Sequence, residues 1–237
     1  MKKVFHSADT RGEANHGWLQ AKHSFSFANF YNPERMQFGV LRVLNDDVIA
    51  PGMGFGAHPH DNMEIITIPL EGTLEHKDSM DNTGVIEADE IQVMSAGTGI
   101  SHSEYNKSKN QSVSLLQLWV IPHTQNVTPR YDQKNIKDLK TTNSFYPVVT
   151  PNPHDSGMWI HQDAWFHLGE FNEETKVKYS IHKPGNGVYI FIIEGEGNVS
   201  DQTLSKRDAL GLWETESFSI TAKKNSKILL LEVPMQQ

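Results

Sequence analysis

The chain is broken into short apolar runs, each bounded by turn residues. The clearest are "FGVLRVL" (38–44), "EIITIPL" (64–70), "EIQVMS" (90–95), "SLLQLWVI" (114–121), "YIFIIEG" (189–195) and "KILLLEV" (227–233). Each has the length of a strand and is rich in β-branched or aromatic residues. Between them lie "LNDD", "EGT", "MDNTG", "SAGTG", "KPGNG" and "EGEG", which read as turns. Many short strands at this spacing predict an all-β chain folded as a sandwich or barrel. The composition agrees, with 37% hydrophobic residues, 17 Gly and 11 Pro. That suits a loop-rich β protein better than a helical bundle, and 21% charged residues argue against disorder throughout.

Residues 122–157 are polar and contain Pro122, Pro129, Pro147, Pro151 and Pro153. The stretch reads as a connector with one short helix at "QKNIKDLK", which splits the chain into two halves. A weak internal repeat supports two halves of like fold. "IITIPLEGTLEHKDS" (65–79) is similar to "YIFIIEGEGNVSDQT" (189–203), each an apolar strand running into a glycine turn. Aligning Gly72 with Gly195 sets Ile181 and Lys183 opposite His58 and His60, and Gly187 opposite Glu64. On this alignment the second half keeps the fold and lacks the chemistry.

Several function classes are excluded. There is no cysteine, so no disulfide, thiolate metal site or cysteine nucleophile exists. The formal net charge is −8 and the densest basic run is "AKKNSK" at 222–227. Direct binding to nucleic-acid phosphates needs a basic footprint that is missing here. No apolar stretch approaches the roughly 20 residues of a membrane span. The N-terminal segment has no apolar signal region, so a cytoplasmic location is expected. Neither a nucleophile-elbow, a phosphate-binding loop nor a dinucleotide fingerprint occurs.

The chemistry gathers in two places. In "GFGAHPHDNMEI" (54–65), His58 and His60 are separated by one residue, so in a strand they share a face. Pro59 between them cannot donate to a ladder, which predicts an edge, a bulge or a barrel mouth. In "SAGTGISHSEYN" (95–106), His102 and Glu104 are likewise two apart. Three imidazoles and a carboxylate suit a divalent metal with open coordination positions, such as Zn, Fe, Mn, Ni or Co. With 12 His in the chain, a chance pair of solvated histidines is the competing reading.

The spacing Gly52–x5–His58–x–His60–x3–Glu64 resembles the first cupin motif. Gly97–x–Gly99–x2–His102–x3–Asn106 resembles the second, with Gly97 where cupins usually carry proline. "RGEANHGWLQAKHSFSFANFYNP", "LRVLNDDVIAPGMGFGAHPHDNMEI", "LEGTLEHKDSMDNTG" and "QVMSAGTGISHSEYN" are similar to the pirin family, and within it to bacterial pirin-like quercetin 2,3-dioxygenases. The likeness covers residues 1–135 with specific motifs and the rest more loosely.

The resemblance implies a bicupin of two jelly-roll β-barrel domains with short helices in connectors. Residues 1–130 would form a metal-binding cupin domain and 131–237 a cupin-like domain without metal ligands. It implies one divalent metal held by His58, His60, His102 and Glu104, with Fe(II) the family's usual ion and Mn, Ni, Co, Zn or Cu alternatives. Glu104 would double as general base, taking the 3-hydroxyl proton of a flavonol that O2 then cleaves with release of carbon monoxide. Glu64, the carboxylate most cupins use, is expected to orient a ligand histidine or to serve as a spare ligand. The alternative function is a metal- or redox-sensing regulator that binds a protein partner.

Other residues carry weaker expectations. His23, Phe25 and Phe27 share a face if their segment is a strand, and are candidate pocket residues or core. Trp18, Phe30 and Tyr31 are expected to close the barrel. His76 reads as a solvated strand residue. His154, His161, His167 and His182 lack a partner two residues away, so no second metal site is expected.

Overall fold

A computed structural model describes residues 1–236 of the chain. They form four sheets, two of seven strands and two of four, antiparallel except where Phe145–Thr150 pairs in parallel with Met158–Trp159. The first seven-stranded sheet runs Arg130–Asn135, Glu90–Ser95, Glu64–Glu71, Val113–Val120, Leu41–Ile49, Leu19–His23 and Gly12–Asn15. Facing it is a four-stranded sheet of Gly54–His60, Ile100–Asn106, Thr73–Asp78 and Thr83–Glu87. The second half repeats this plan. Its large sheet runs Lys2–His6, Ala209–Trp213, Asn186–Glu194, Ser226–Pro234, Trp165–Phe171, Phe145–Thr150 and Met158–Trp159. Its small sheet is Thr175–Ser180, Ser217–Ala222, Glu196–Val199 and Gln202–Ser205. The fold is two barrels of jelly-roll type, as expected. The repeat is real at its pivot too, since Gly72 and Gly195 both take left-handed φ values, 81° and 77°.

The two halves exchange edge strands. Lys2–His6, from the start of the chain, pairs with Ala209–Trp213 of the second half. Arg130–Asn135, past the position where the first half was expected to end, pairs with Glu90–Ser95 of the first. Sheet membership therefore crosses residue 130 in both directions. The segment read as a connector supplies this strand and Phe145–Thr150, and its helix is only a 3-10 turn at Lys137–Leu139. "LNDD" is not a turn either, because Leu41–Ile49 runs straight through it. Its polar side chains find partners at strand positions. Asn45 Oδ1 meets His23 Nδ1 at 2.9 Å, and Asp46 accepts from Arg11 and Arg207, each at 3.0 Å.

The strands alternate, and the alternation assigns each residue to one of two interiors. Ile66, Ile68, Leu116, Leu118 and Val120 face the second half, where they pack against residues such as Val148, Phe166, Phe191 and Leu231. The large sheets thus stack back to back around the main apolar core. The opposite faces look into the barrels. Leu19, Ile49, Leu74, Ile86, Val113 and Leu115 fill one end of the first, and Val188, Ile190, Ile220, Ile228 and Leu230 fill the second. The polar remainder of the first barrel's interior forms the site. No helix among the described residues is long and apolar enough to cross a membrane.

Candidate metal centre

Among the described residues Gly54–His60 is an edge strand, paired only with Ile100–Asn106, which is the place Pro59 requires. His58 lies opposite His102 and His60 opposite Ile100. The register then shifts, so Gly56 and Ala57 stand against Ser103 alone. This β-bulge re-aims the strand. It also brings the Gly56 carbonyl to the His58 ring, whose Nδ1 donates to it at 2.8 Å. That bond fixes the tautomer and leaves Nε2 as a free lone pair.

The rings of His58, His60 and His102 converge, with centroids 4.5 to 4.9 Å apart. One nitrogen from each lies within 4.8 Å of the others. His60 Nε2 and His102 Nε2 approach to 3.0 Å. Burial, helped by the neighbouring His102 and His58, lowers the His60 pKa to about 4. Burial, with His58 and His76, takes His102 to about 3. At neutral pH these two rings are uncharged, the form that ligates a metal. Two neutral imidazole nitrogens 3.0 Å apart can share one hydrogen or ligate one cation together, and with the His58 nitrogen beside them the donor set fits one divalent ion.

Glu104 lies beneath them on the same face. Its carboxylate groups with His102 and His76, one donor atom of each within 4.8 Å. The four expected residues thus come together as two overlapping groups that share His102. Three side chains aim the carboxylate. Gln117 Nε2 donates to Oε2 at 2.8 Å, while Thr67 Oγ1 and Gln92 Nε2 lie 3.2 Å from Oε1. Sequence reasoning missed this cradle. The signal was present, because each member is the lone polar residue in an apolar run at an inward-facing position.

His76 is not solvated. It is fully buried, since Leu74, His76 and Asp78 are the inward residues of Thr73–Asp78. Its ring stacks on Tyr131 at 4.5 Å. Aromatic walls surround the imidazoles. Trp119 stands edge-on to His60 at 4.9 Å, Phe27 to Trp119 at 5.4 Å, and Phe55 lies between Trp18 and His58.

The structure separates several other expected residues from the centre. Glu64 belongs to the strand after the turn, so its parity does not carry over from His60. It shares the face of Ile66 and looks toward the second half, whereas Thr67 on the opposite face reaches Glu104. Its Oε2 accepts from Ser95 Oγ at 2.8 Å. Burial pushes its carboxyl up to about 7, against hydrogen bonds from Ser95 and the His161 backbone. The strand holding His23 stops there, so Phe25 turns into the core between the halves, against His6 and Tyr189. His23 and Phe27 stay together, with rings 5.2 Å apart. Tyr31 is 74% exposed and closes nothing. Gly97 has φ 48°, a value proline cannot adopt, which explains its departure from the cupin pattern.

The second barrel carries a different cluster at its mouth. Buried Glu232 accepts from Tyr179 Oη at 2.8 Å, His182 Nδ1 at 2.7 Å and Asn186 Nδ2 at 3.0 Å. His182 is stacked between Trp165 and His167. Sequence spacing did not link these residues. They latch the 181–186 loop, and every oxygen of Glu232 is satisfied.

Comparison with known proteins fits this picture. Residues 4–120 match the family model described as pirin, and residues 147–233 the model described as quercetinase C-terminal cupin domain. The chain is 42% identical over 229 residues to the quercetin 2,3-dioxygenase of Escherichia coli strain K12, covering 96% of each. It is 35% identical to a pirin-like protein of Caulobacter vibrioides, covering 94% of this chain and 96% of that one. A crystal structure of the bacterial pirin YhhW from Escherichia coli, in complex with nickel(II), superposes with a TM-score of 0.93 at 40% identity, covering 98% and 99% of the two chains. Quercetin 2,3-dioxygenase from Acinetobacter baumannii, at 20% identity and a TM-score of 0.79, shares the fold. On this fold, this site and these relationships, the chain belongs to the pirin family of cupin proteins.

Proposed function

We propose that this protein is a metal-dependent dioxygenase of quercetinase type, opening a flavonol such as quercetin with O2 and releasing carbon monoxide. The observation that carries the reading is the convergence of three imidazoles, His58, His60 and His102, above the cradled carboxylate of Glu104. The full-length similarity to a quercetin 2,3-dioxygenase supplies the substrate class.

In this reading His58, His60, His102 and Glu104 hold one divalent ion, iron by family habit. When bound, the ion supplies Lewis acidity toward a flavonolate oxygen and a meeting point for dioxygen. The protein's own part is positioning. Glu104, oriented by Thr67, Gln92 and Gln117, accepts the proton of the substrate's 3-hydroxyl. The walls formed by Trp119, Phe27 and Phe55 take the flat rings and keep bulk water from the reacting carbons.

The test is oxygen uptake and carbon monoxide release with quercetin by the iron-loaded protein. Both are expected in the wild type and absent in His58→Ala and His102→Ala. No oxygen uptake with any flavonol in the metal-loaded wild type overturns the proposal.

A further inference from the structure

Ligand histidines in metal sites are held by a partner on their second nitrogen. His58 has one, the Gly56 carbonyl. His102 has none in direct reach, since its Nδ1 is buried without a hydrogen-bond partner. The nearest ring is His76, centroid 5.4 Å away, and its Nδ1 is buried and unpartnered as well. A buried polar atom left unpaired is destabilising. Two such atoms on adjacent rings call for a common explanation.

Their chemistry is complementary. His76 Nε2 lies 3.2 Å from Asp78 Oδ2 and donates to it, so His76 Nδ1 carries a lone pair. Asp78 is fixed as an acceptor. Burial works to raise its carboxyl, but hydrogen bonds from Asn82, His76 and the backbone of Met80 outweigh this and hold it below the usual value. The Asn82 side chain and the Met80 amide donate at 2.9 Å each. His102 Nε2 points to His60, so a metal there leaves Nδ1–H as the donor. One nitrogen of His102 and one of His76 lie within 4.8 Å of each other, so the rings are close neighbours and a single bridging water would span such a gap. Tyr131, stacked on His76, fixes the plane of that ring.

We infer that Asp78 and His76 form an orienting chain for His102, the carboxylate aligning His76 and His76 Nδ1 accepting the Nδ1 proton of His102. His76 is then a positioning residue, acting on the metal through His102. The inference rests on the metal-centre reading above and adds two residues to it. It also gives a role to the exchanged strand, because Tyr131 comes from Arg130–Asn135.

The experiment measures metal affinity by chelator competition with nickel(II) and the ligand-field spectrum of the cobalt(II)-loaded protein. It compares wild type, His76→Phe, His76→Asn and Asp78→Asn. Phenylalanine keeps the stack on Tyr131 and removes the acceptor, whereas asparagine places an oxygen near the Nδ1 position. His76→Phe is expected to weaken nickel binding about 10- to 100-fold and to shift the cobalt spectrum. His76→Asn should restore most of the affinity, and Asp78→Asn should fall between. Thermal midpoints of the metal-free variants separate loss of fold from loss of orientation. Wild-type affinity and spectrum in His76→Phe overturn the inference, as does equal loss in His76→Phe and His76→Asn. Failure of wild type to bind nickel would instead overturn the metal centre itself, which keeps the two readings distinct.

Discussion

Asp47 offers a quantitative test of the barrel interior. It faces inward from Leu41–Ile49, is 4% exposed, and its Oδ1 has no hydrogen-bond partner. Burial, then Asp46 and Glu104, raise its pKa from 3.8 to about 8. The folded state therefore keeps a proton that the unfolded chain releases above its ordinary carboxylate pKa. The stability tied to that proton is fully present below the unfolded value and is lost as pH climbs toward the folded one. Each pH unit in that window removes about 1.4 kcal/mol, so the loss by pH 7 is at most about 4 kcal/mol. Asp47→Asn keeps the shape and removes the titration. Urea denaturation of both metal-free proteins, from about pH 5 to about pH 8, reads the effect. The wild type should lose stability relative to Asp47→Asn by about 1.4 kcal/mol per pH unit. Taking the difference cancels the histidines, which titrate alike in both. Parallel pH curves would refute the argument that Asp47 is a neutral acid in a dry interior.

Three further outcomes are expected. Glu64→Gln should leave nickel affinity unchanged, since Glu64 faces the other half; a tenfold loss in chelator competition would return it to the centre. Gly97→Ala should cost about 1–3 kcal/mol in urea melts, because φ 48° strains any side chain and a Cβ would run into the Val127 carbonyl oxygen. Asp46→Ala strips the shared partner of Arg11 and Arg207 between the halves, and should lower stability by about 3 kcal/mol. An unchanged urea midpoint would remove that cluster from the account of how the barrels are joined.

Local pattern was legible where one strand decides the answer. The runs at 64–70, 90–95 and 227–233 became strands nearly as read, because alternation and β-branching are properties of a few adjacent residues. The pairs His58/His60 and His102/Glu104 were legible for the same reason, since spacing by two fixes a common face. Reading failed where a polar residue in a strand is satisfied from afar. Asn45 and Asp46 look like a turn until His23, Arg11 and Arg207 arrive from other parts of the chain. His76 looks solvated until Asp78, Tyr131 and His102 enclose it. Glu64 was misjudged because parity does not survive a turn.

The sequence by itself determined an all-β chain in two like halves, the family, and the four residues expected to bind metal. These follow from period-two patterning and from motif spacing, which are written in the order of residues. Tertiary structure alone decided which interior each face looks into. It set the exchange of Lys2–His6 and Arg130–Asn135 between the halves, the turning of Glu64 away from the site, and the gathering of Thr67, Gln92, Gln117, His76 and Asp78 around Glu104 and His102. The physical reason is that a strand has two faces and no knowledge of which will be wet. Sheet pairing over long separations supplies that choice, and a buried carboxylate or imidazole then needs partners that only the closed barrel brings near.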